Sequence, residues 1–352
     1  MKHYKLLLIF LVFLIPDFSQ AFIQPKKPNV ILITLDGVRW KEFFYGVDPV
    51  VNHGPNVGST GEIFSYFWKA MSPFGVTFGD RNHGSTAMVS NASVKSLPAY
   101  QSMMAGFVQP GCLTNDCGRI QVETLQERLV RELGFAPKEV ASIASWETMP
   151  LAIEHVQGAT FTNASVFPLV DGETDEELAK LNHDQQVDIP PWTYTRYDKY
   201  TMAHALRYLK KHSPRFLYIS LNDTDDLGHL GEYEKYVNVM RDYDVWLKEM
   251  ISTLDQMGEY GKSTTIIMTT DHGRGDGDSW KHHAASIEPS KYIWLYGQSP
   301  YTRSHPHFGE ESVNAGTLFL HTDLRATIEA SFGLKPFECK TCGHVIKEIT
   351  GN

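Results

Sequence analysis

Asn29-Val-Ile-Leu-Ile-Thr-Leu-Asp36, Arg215-Phe-Leu-Tyr-Ile-Ser-Leu-Asn-Asp-Thr-Asp225 and Thr264-Thr-Ile-Ile-Met-Thr-Thr-Asp271-His272 are three apolar runs that each end in aspartate. A strand buried on both faces reads as such a continuous run, and strands of this kind belong to parallel sheets covered by helices. In open parallel sheets, ligand sites lie beyond the carboxyl ends of the strands. Three acidic strand ends on one rim would repel one another and lose hydration unless a cation held them. The pattern predicts a metal site with more than one ion.

The segments around these runs set the fold class. Leu125, Leu129 and Leu133 recur at helical spacing over 122–133 and stop at Gly134. Residues 197–211, 233–257 and 324–332 read as helices, and 140–144 and 292–296 as further strands. Alternating strands and helices predict an α/β fold: a doubly wound, mostly parallel central sheet flanked by helices. Residues 22–352 read as one domain. Two stretches, about 40–90 and 150–195, are polar or rich in Gly, Ser and Pro, and read as inserted loops or a lid.

The first 21 residues read as a signal peptide. Met1 to Lys5 is basic, Leu6 to Ile15 is a short apolar core, and Ser19-Gln-Ala21 offers small residues for cleavage. The apolar stretch is short for a bilayer span, so no stable membrane span is expected after processing; an uncleaved anchor is the alternative. The mature protein is expected outside the cytoplasm, periplasmic or extracellular. Cys112 with Cys117, and Cys339 with Cys342, then read as two local disulfides; a four-thiolate zinc site is the lesser alternative. The net charge of -9 argues against non-specific binding to nucleic-acid polymers or anionic membrane. Asn91, Asn163 and Asn222 begin Asn-x-Ser/Thr sequons. Oligomeric state is not legible.

The chemistry lies in four further observations. Asp225-Asp-Leu-Gly-His229 places an Asp and a His four apart, where one helical turn aims both at one ion; the same spacing also marks ordinary helix starts. Asp271-His272 closes a strand, where an Asp is otherwise a helix cap. In Lys95-Ser96-Leu-Pro98, the proline suits a first helical turn. That puts Ser96 at a helix N-terminus, where anions are stabilised; the plainer role for such a serine is capping. Lys95 and Arg274 are candidate charge donors by proximity only.

In this order the residues resemble the alkaline phosphatase superfamily of metal-dependent phosphate and sulfate ester hydrolases and mutases. The spelling is similar to nucleotide pyrophosphatase/phosphodiesterases around Lys95-Ser96-Leu-Pro98 and Asp225-x-x-Gly-His229. The resemblance implies a catalytic Ser96 nucleophile and two divalent metal ions, most readily zinc. It implies that Asp36, Ser96, Asp271 and His272 surround one ion, and that Asp225, His229 and a late histidine hold the other. His283 in Trp280-Lys-His282-His283 is favoured as that histidine; His282 is the alternative, and His305 or His307 a poor third. The implied activity is hydrolysis of small-molecule phosphate esters through a phosphoserine, tilted toward phosphodiester or pyrophosphate bonds. Phosphomonoester or sulfatase-like hydrolysis, or a catalytically silent metal protein, are the alternatives. Tyr100 stands where the sulfatase pattern has Arg. Asn115 falls near the distance at which phosphodiesterase-like members place a phosphate-binding Asn, but the Cys112–Cys117 loop makes a turn residue the favoured reading.

Overall fold

The structure is a computed structural model that describes residues 27–51, 63–192, 194–306 and 318–351. Seven strands form the main sheet in the order β2 (Val76–Phe78), β8 (Leu295–Gln298), β7 (Thr264–Thr269), β1 (Asn29–Leu35), β6 (Phe216–Leu221), β4 (Val140–Ala144), β5 (Phe161–Ala164). The pairings of β1, β4, β5, β6 and β7 are parallel, whereas β8 runs antiparallel to β7 and β2. Strands β3 (Thr86–Met88) and β9 (Leu318–Leu320) pair apart from it.

Period-two side chains divide β1 between two cores. Ile31, Ile33 and Leu35 pack with Tyr236 and Met240 of the helix Tyr233–Gln256. Val30 and Leu32 pack on the other face with Leu97 and Met103 of the helix Ser96–Ala105. Helices thus cover both faces, as expected for a doubly wound sheet. Each buried Leu or Ile side chain contributes roughly 1.5–3 kcal/mol.

Leu35 pairs with Leu221, and Thr34 with Thr269. The three acidic run ends therefore emerge side by side at one rim, with β1 between β6 and β7. The connection from β6 to β7 passes over β1, which makes this rim a topological switch point.

Two expectations shift. The strand expected at 292–296 is split: Tyr292 bridges to Met88 and Ile293 donates to Ala87, so the pairing with β7 and β2 starts only at Leu295. The stretch 150–195, read as an insertion, supplies edge strand β5 and a helix, Glu176–Val187, whose Asp175 cap accepts from Leu178. Within 40–90 lie a short helix, Trp40–Tyr45, and strands β2 and β3.

Behind the rim, Arg39 ion-pairs with Glu42 at 2.9 Å and with Asp48, and donates to Gly275 O. Tyr233 donates to Glu42, closing a buried network under the β1 exit. The three sequon asparagines are buried and bonded inside the fold: Asn91 to Pro98 O, Asn163 to Arg196 and Asn222 to Asp226. None is placed to carry a glycan.

The signal peptide and His307 lie outside the described residues. Among the described residues no helix is long and apolar enough to cross a membrane.

Candidate metal centre

Asp36 follows β1 directly, and Gly37 after it has φ 66°, a turn that brings its N–H to Asp271 Oδ1 at 3.2 Å. Asp271 and His272 follow β7. Asp225 lies in the first turn of the helix Asp223–Leu230, and His229 one turn later. Ser96 opens the buried helix Ser96–Ala105, with Pro98 in its first turn. His283 follows a short helical turn, Gly277–Lys281.

The structure brings all seven expected residues together. Two groups have ligand atoms mutually within 4.8 Å: Asp36, Asp271 and His272, and Asp225, His272 and His283. Ser96 Oγ lies 3.2 Å from His272 Nε2. His229 Nε2 lies 3.3 Å from Asp225 Oδ2 and 3.0 Å from His283 Nε2. His272 belongs to both groups rather than to one, because it lies between the two carboxylate sets. His229, 43% exposed, stands at the mouth. His283 is buried and points inward, while His282 is exposed and outside the cluster. His305 is exposed against Tyr301, away from the centre.

Second partners fix the imidazoles. His272 Nδ1 donates to Gly273 O at 3.0 Å, and His283 Nδ1 donates to Val94 O at 3.0 Å. Each Nε2 therefore presents a lone pair to the centre. Ser96 must then be the donor in its bond to His272. Burial, then His283, keeps His272 neutral, its pKa well below the usual value. Burial lowers His283 to about 4.

The carboxylates diverge. Burial, then Asp271 and Asp225, pushes Asp36 well up, although Tyr100 donates to its Oδ2 at 2.9 Å. Burial and Asp225 raise Asp271 to about 7. Burial would also raise Asp225, yet Arg274, then His229, holds it well below the carboxylate range. Asp36 Oδ1 and Asp271 Oδ2 are buried without a hydrogen-bond partner. Unpaired oxygens, neutral imidazole lone pairs and converging carboxylates fit divalent cations.

A polar cleft of about 210 Å³ opens over this centre, lined by Ser96, Asn115, Trp146, Thr195, Asp226 and His229, among others. Asn115 sits in a turn, as the sequence favoured, closed by Cys117 N donating to Thr114 O at 3.3 Å, and its side chain also reaches the Ser96 helix. Its Oδ1 accepts from Leu97 N at 3.0 Å, so the loop between Cys112 and Cys117 folds back onto the Ser96 helix. Asp226 was also missed; burial, then Asp225, raises it to about 8. Its adjacency to Asp225 was the only signal. Cys112 with Cys117, and Cys339 with Cys342, lie at disulfide distance, with Cα separations of 5.2 and 5.0 Å.

Arg274, a candidate charge donor by proximity, turns its charge inward. It is buried, donating through Nη2 to Asp225 Oδ1 at 2.7 Å and Asp225 O at 2.6 Å, and through Nη1 to Lys281 O at 3.1 Å.

Comparison with known proteins identifies the family and the fold. The sequence model of the metalloenzyme superfamily matches residues 155–331. Phosphopentomutase of Carboxydothermus hydrogenoformans is 26% identical over 143 residues, 40% of this chain. The match spans only 32% of that relative's length. Phosphonate monoester hydrolase of Agrobacterium radiobacter superposes with a TM-score of 0.60 at 15% identity, over 92% of this chain and 77% of that one. A 2-O GAG sulfatase gives 0.58 at 14% identity, over 93% and 75%. At these identities the structural likeness establishes fold alone. The chain belongs to the metalloenzyme superfamily, with the fold of the alkaline phosphatase superfamily and the divalent-metal dependence that membership carries.

Proposed function

We propose that this protein is a two-metal hydrolase of phosphate esters that works through a phosphoserine at Ser96. One observation carries the reading: the Ser96 hydroxyl, at the first turn of a buried helix, donates to His272 Nε2 inside a cluster of three carboxylates. Asp36, Ser96, Asp271 and His272 would hold one ion, and Asp225, His229 and His283 the other. The nitrogen and oxygen donor set suits zinc. When bound, a pair of such ions supplies positive charge to the phosphoryl oxygens and favours the ionised serine.

The chain's own groups do the rest. Ser96 releases its hydroxyl proton to solvent, Oγ attacks phosphorus, the bond to the leaving oxygen breaks in line, and a Ser96 O–P bond forms. The leaving oxygen takes a proton from solvent. Water then attacks phosphorus, and the serine hydroxyl is restored. The helix dipole at this N-terminus favours negative charge at Oγ. Asn115, held by Leu97 N through its oxygen, offers its amide N–H groups to a non-bridging phosphoryl oxygen.

Phosphodiester or pyrophosphate bonds are the favoured class. The spelling around Ser96 and Gly228-His229 supports this, as does the place of Asn115 in the cleft. Sulfatase chemistry is less favoured, because Tyr100 replaces the Arg of that pattern and is engaged with Asp36. A second reading, phosphoryl transfer within a sugar phosphate, is supported by the phosphopentomutase relative. The cysteine pairs at disulfide distance support an exported protein, acting on small-molecule esters rather than nucleic-acid polymers.

The test is turnover of bis(4-nitrophenyl) phosphate, 4-nitrophenyl phosphate, 4-nitrophenyl sulfate and ribose 5-phosphate by zinc-loaded wild type and Ser96→Ala. Diester turnover reduced by ~10³-fold or more in Ser96→Ala is expected. Full turnover by that variant would refute the nucleophile, and isomerisation of the ribose phosphate without phosphate release would favour the second reading.

A further inference from the structure

We propose that Arg274 is the positioning residue of this centre, orienting Asp225 and locking together the three chain segments that supply its ligands on that side. The proposal rests on the two-metal reading above and adds to it a residue outside the ligand set.

The first observation is the bonding pattern. One nitrogen, Nη2, donates to both the side-chain Oδ1 and the main-chain carbonyl of Asp225. The other, Nη1, donates to Lys281 O, two residues before His283. Arg274 itself follows Asp271-His272 by two residues. A single rigid guanidinium thus joins the β7 exit, the helix carrying Asp225 and His229, and the turn carrying His283. A planar fork with fixed donor directions suits this task better than a flexible ammonium.

The second observation is which oxygen it holds. Asp225 Oδ1 lies 3.9 Å from His272 Nε2 and 3.8 Å from His283 Nε2, the two imidazoles of its ligand group. Oδ2 faces His229 instead. A donor on Oδ1 fixes the rotation of the carboxylate, so that each oxygen keeps its own histidine partner. Outer partners of metal-binding carboxylates act in this way.

The third observation is the space provided. A Cβ at Gly228 would collide with the Arg274 guanidinium. Gly228 lies within the helix Asp223–Leu230, where glycine is less favourable than alanine. The clamp accounts for the residue chosen. By contrast, Arg274 makes no bond to Asp36 or Asp271, so the other half of the centre does not depend on it directly.

The test is zinc titration of demetallated wild type, Arg274→Gln, Arg274→Lys and Gly228→Ala against a competing chelator, with metal content by mass spectrometry and thermal unfolding of each loaded protein. Wild type is expected to bind two ions. Arg274→Gln and Gly228→Ala are expected to weaken one of the two by ~10–100-fold and leave the other unchanged. Arg274→Lys, which keeps charge but not the fork, is expected to fall between. Two unchanged affinities in Arg274→Gln, or equal weakening of both with a general loss of stability, would overturn the positioning role and leave the two-metal reading intact. Wild type binding no zinc would overturn that reading itself and this role with it.

Discussion

His229 Nε2 and His283 Nε2 face each other at 3.0 Å. His283 gives its only proton to Val94 O, so its facing nitrogen is an acceptor. The close pair joins a half-exposed imidazole at the mouth to a buried one. A shared cation beside Asp225 would satisfy both.

Replacing His283 with Ala should therefore be read in metal content before activity. Loss of an outer partner costs ~10–100-fold in metal affinity, and loss of the imidazole itself is expected to cost at least as much. His282→Ala should leave affinity unchanged. Zinc titration of the two variants checks this, and equal effects would remove His283 from the centre.

Asn115 gives a second prediction. If its amide N–H groups stabilise the transition state, Asn115→Ala should lower kcat by ~10²–10³-fold while zinc content stays the same. Because the loop between Cys112 and Cys117 carries Asn115 to Leu97 N, the double variant Cys112→Ser/Cys117→Ser should lower kcat in the same direction, by less. A kcat unaltered in Asn115→Ala would return the residue to a turn role.

The buried histidines away from the centre set an acid limit. Burial lowers His321, whose Nδ1 accepts from Ser90 N at 2.8 Å, to about 3, and His204 also to about 3. Their pKa values are depressed on folding, so the unfolded chain takes up these protons first as pH falls. Stability is therefore full above about 6.5 and is lost as pH drops toward 3, by at most about 1.4 kcal/mol per pH unit for each histidine. His321→Asn keeps an acceptor for Ser90 and should flatten this slope. Urea midpoints between pH 7.5 and 4 measure it.

The Arg39 network gives a stability prediction. Arg39→Met strands Glu42 and Asp48, buried partners of the same guanidinium. Removing one partner of a buried ion pair costs ~3–5 kcal/mol. A large fall in the urea midpoint is expected. Glu42→Gln, which keeps the bond from Tyr233, should cost less.

The strand ends were legible because β1, β6 and β7 are buried on both faces, which leaves no charged residue inside the strands to confuse the pattern. The acidic ends then stood out. Asn115 was not legible, because its role depends on a loop folding back across 18 residues to a backbone N–H. Strand β5 was hidden because Phe161 and Thr162 are only half-buried and lie in a polar stretch. The start of β8 was misplaced because Tyr292 and Ile293 are equally apolar but pair with β3. Arg274 was noticed only as a neighbour; nothing in spacing shows a guanidinium lying across Gly228.

The central place of β1 bears on how the chain is made. This strand is synthesised before both of its neighbours, which begin at Phe216 and Thr264. At ~5–20 residues per second, an apolar ribbon with two open edges waits on the order of 10–50 s for its second neighbour. During that time it is a template for pairing with other chains. Holdase protection during biogenesis, rather than the stability of the finished sheet, should govern the yield of active protein.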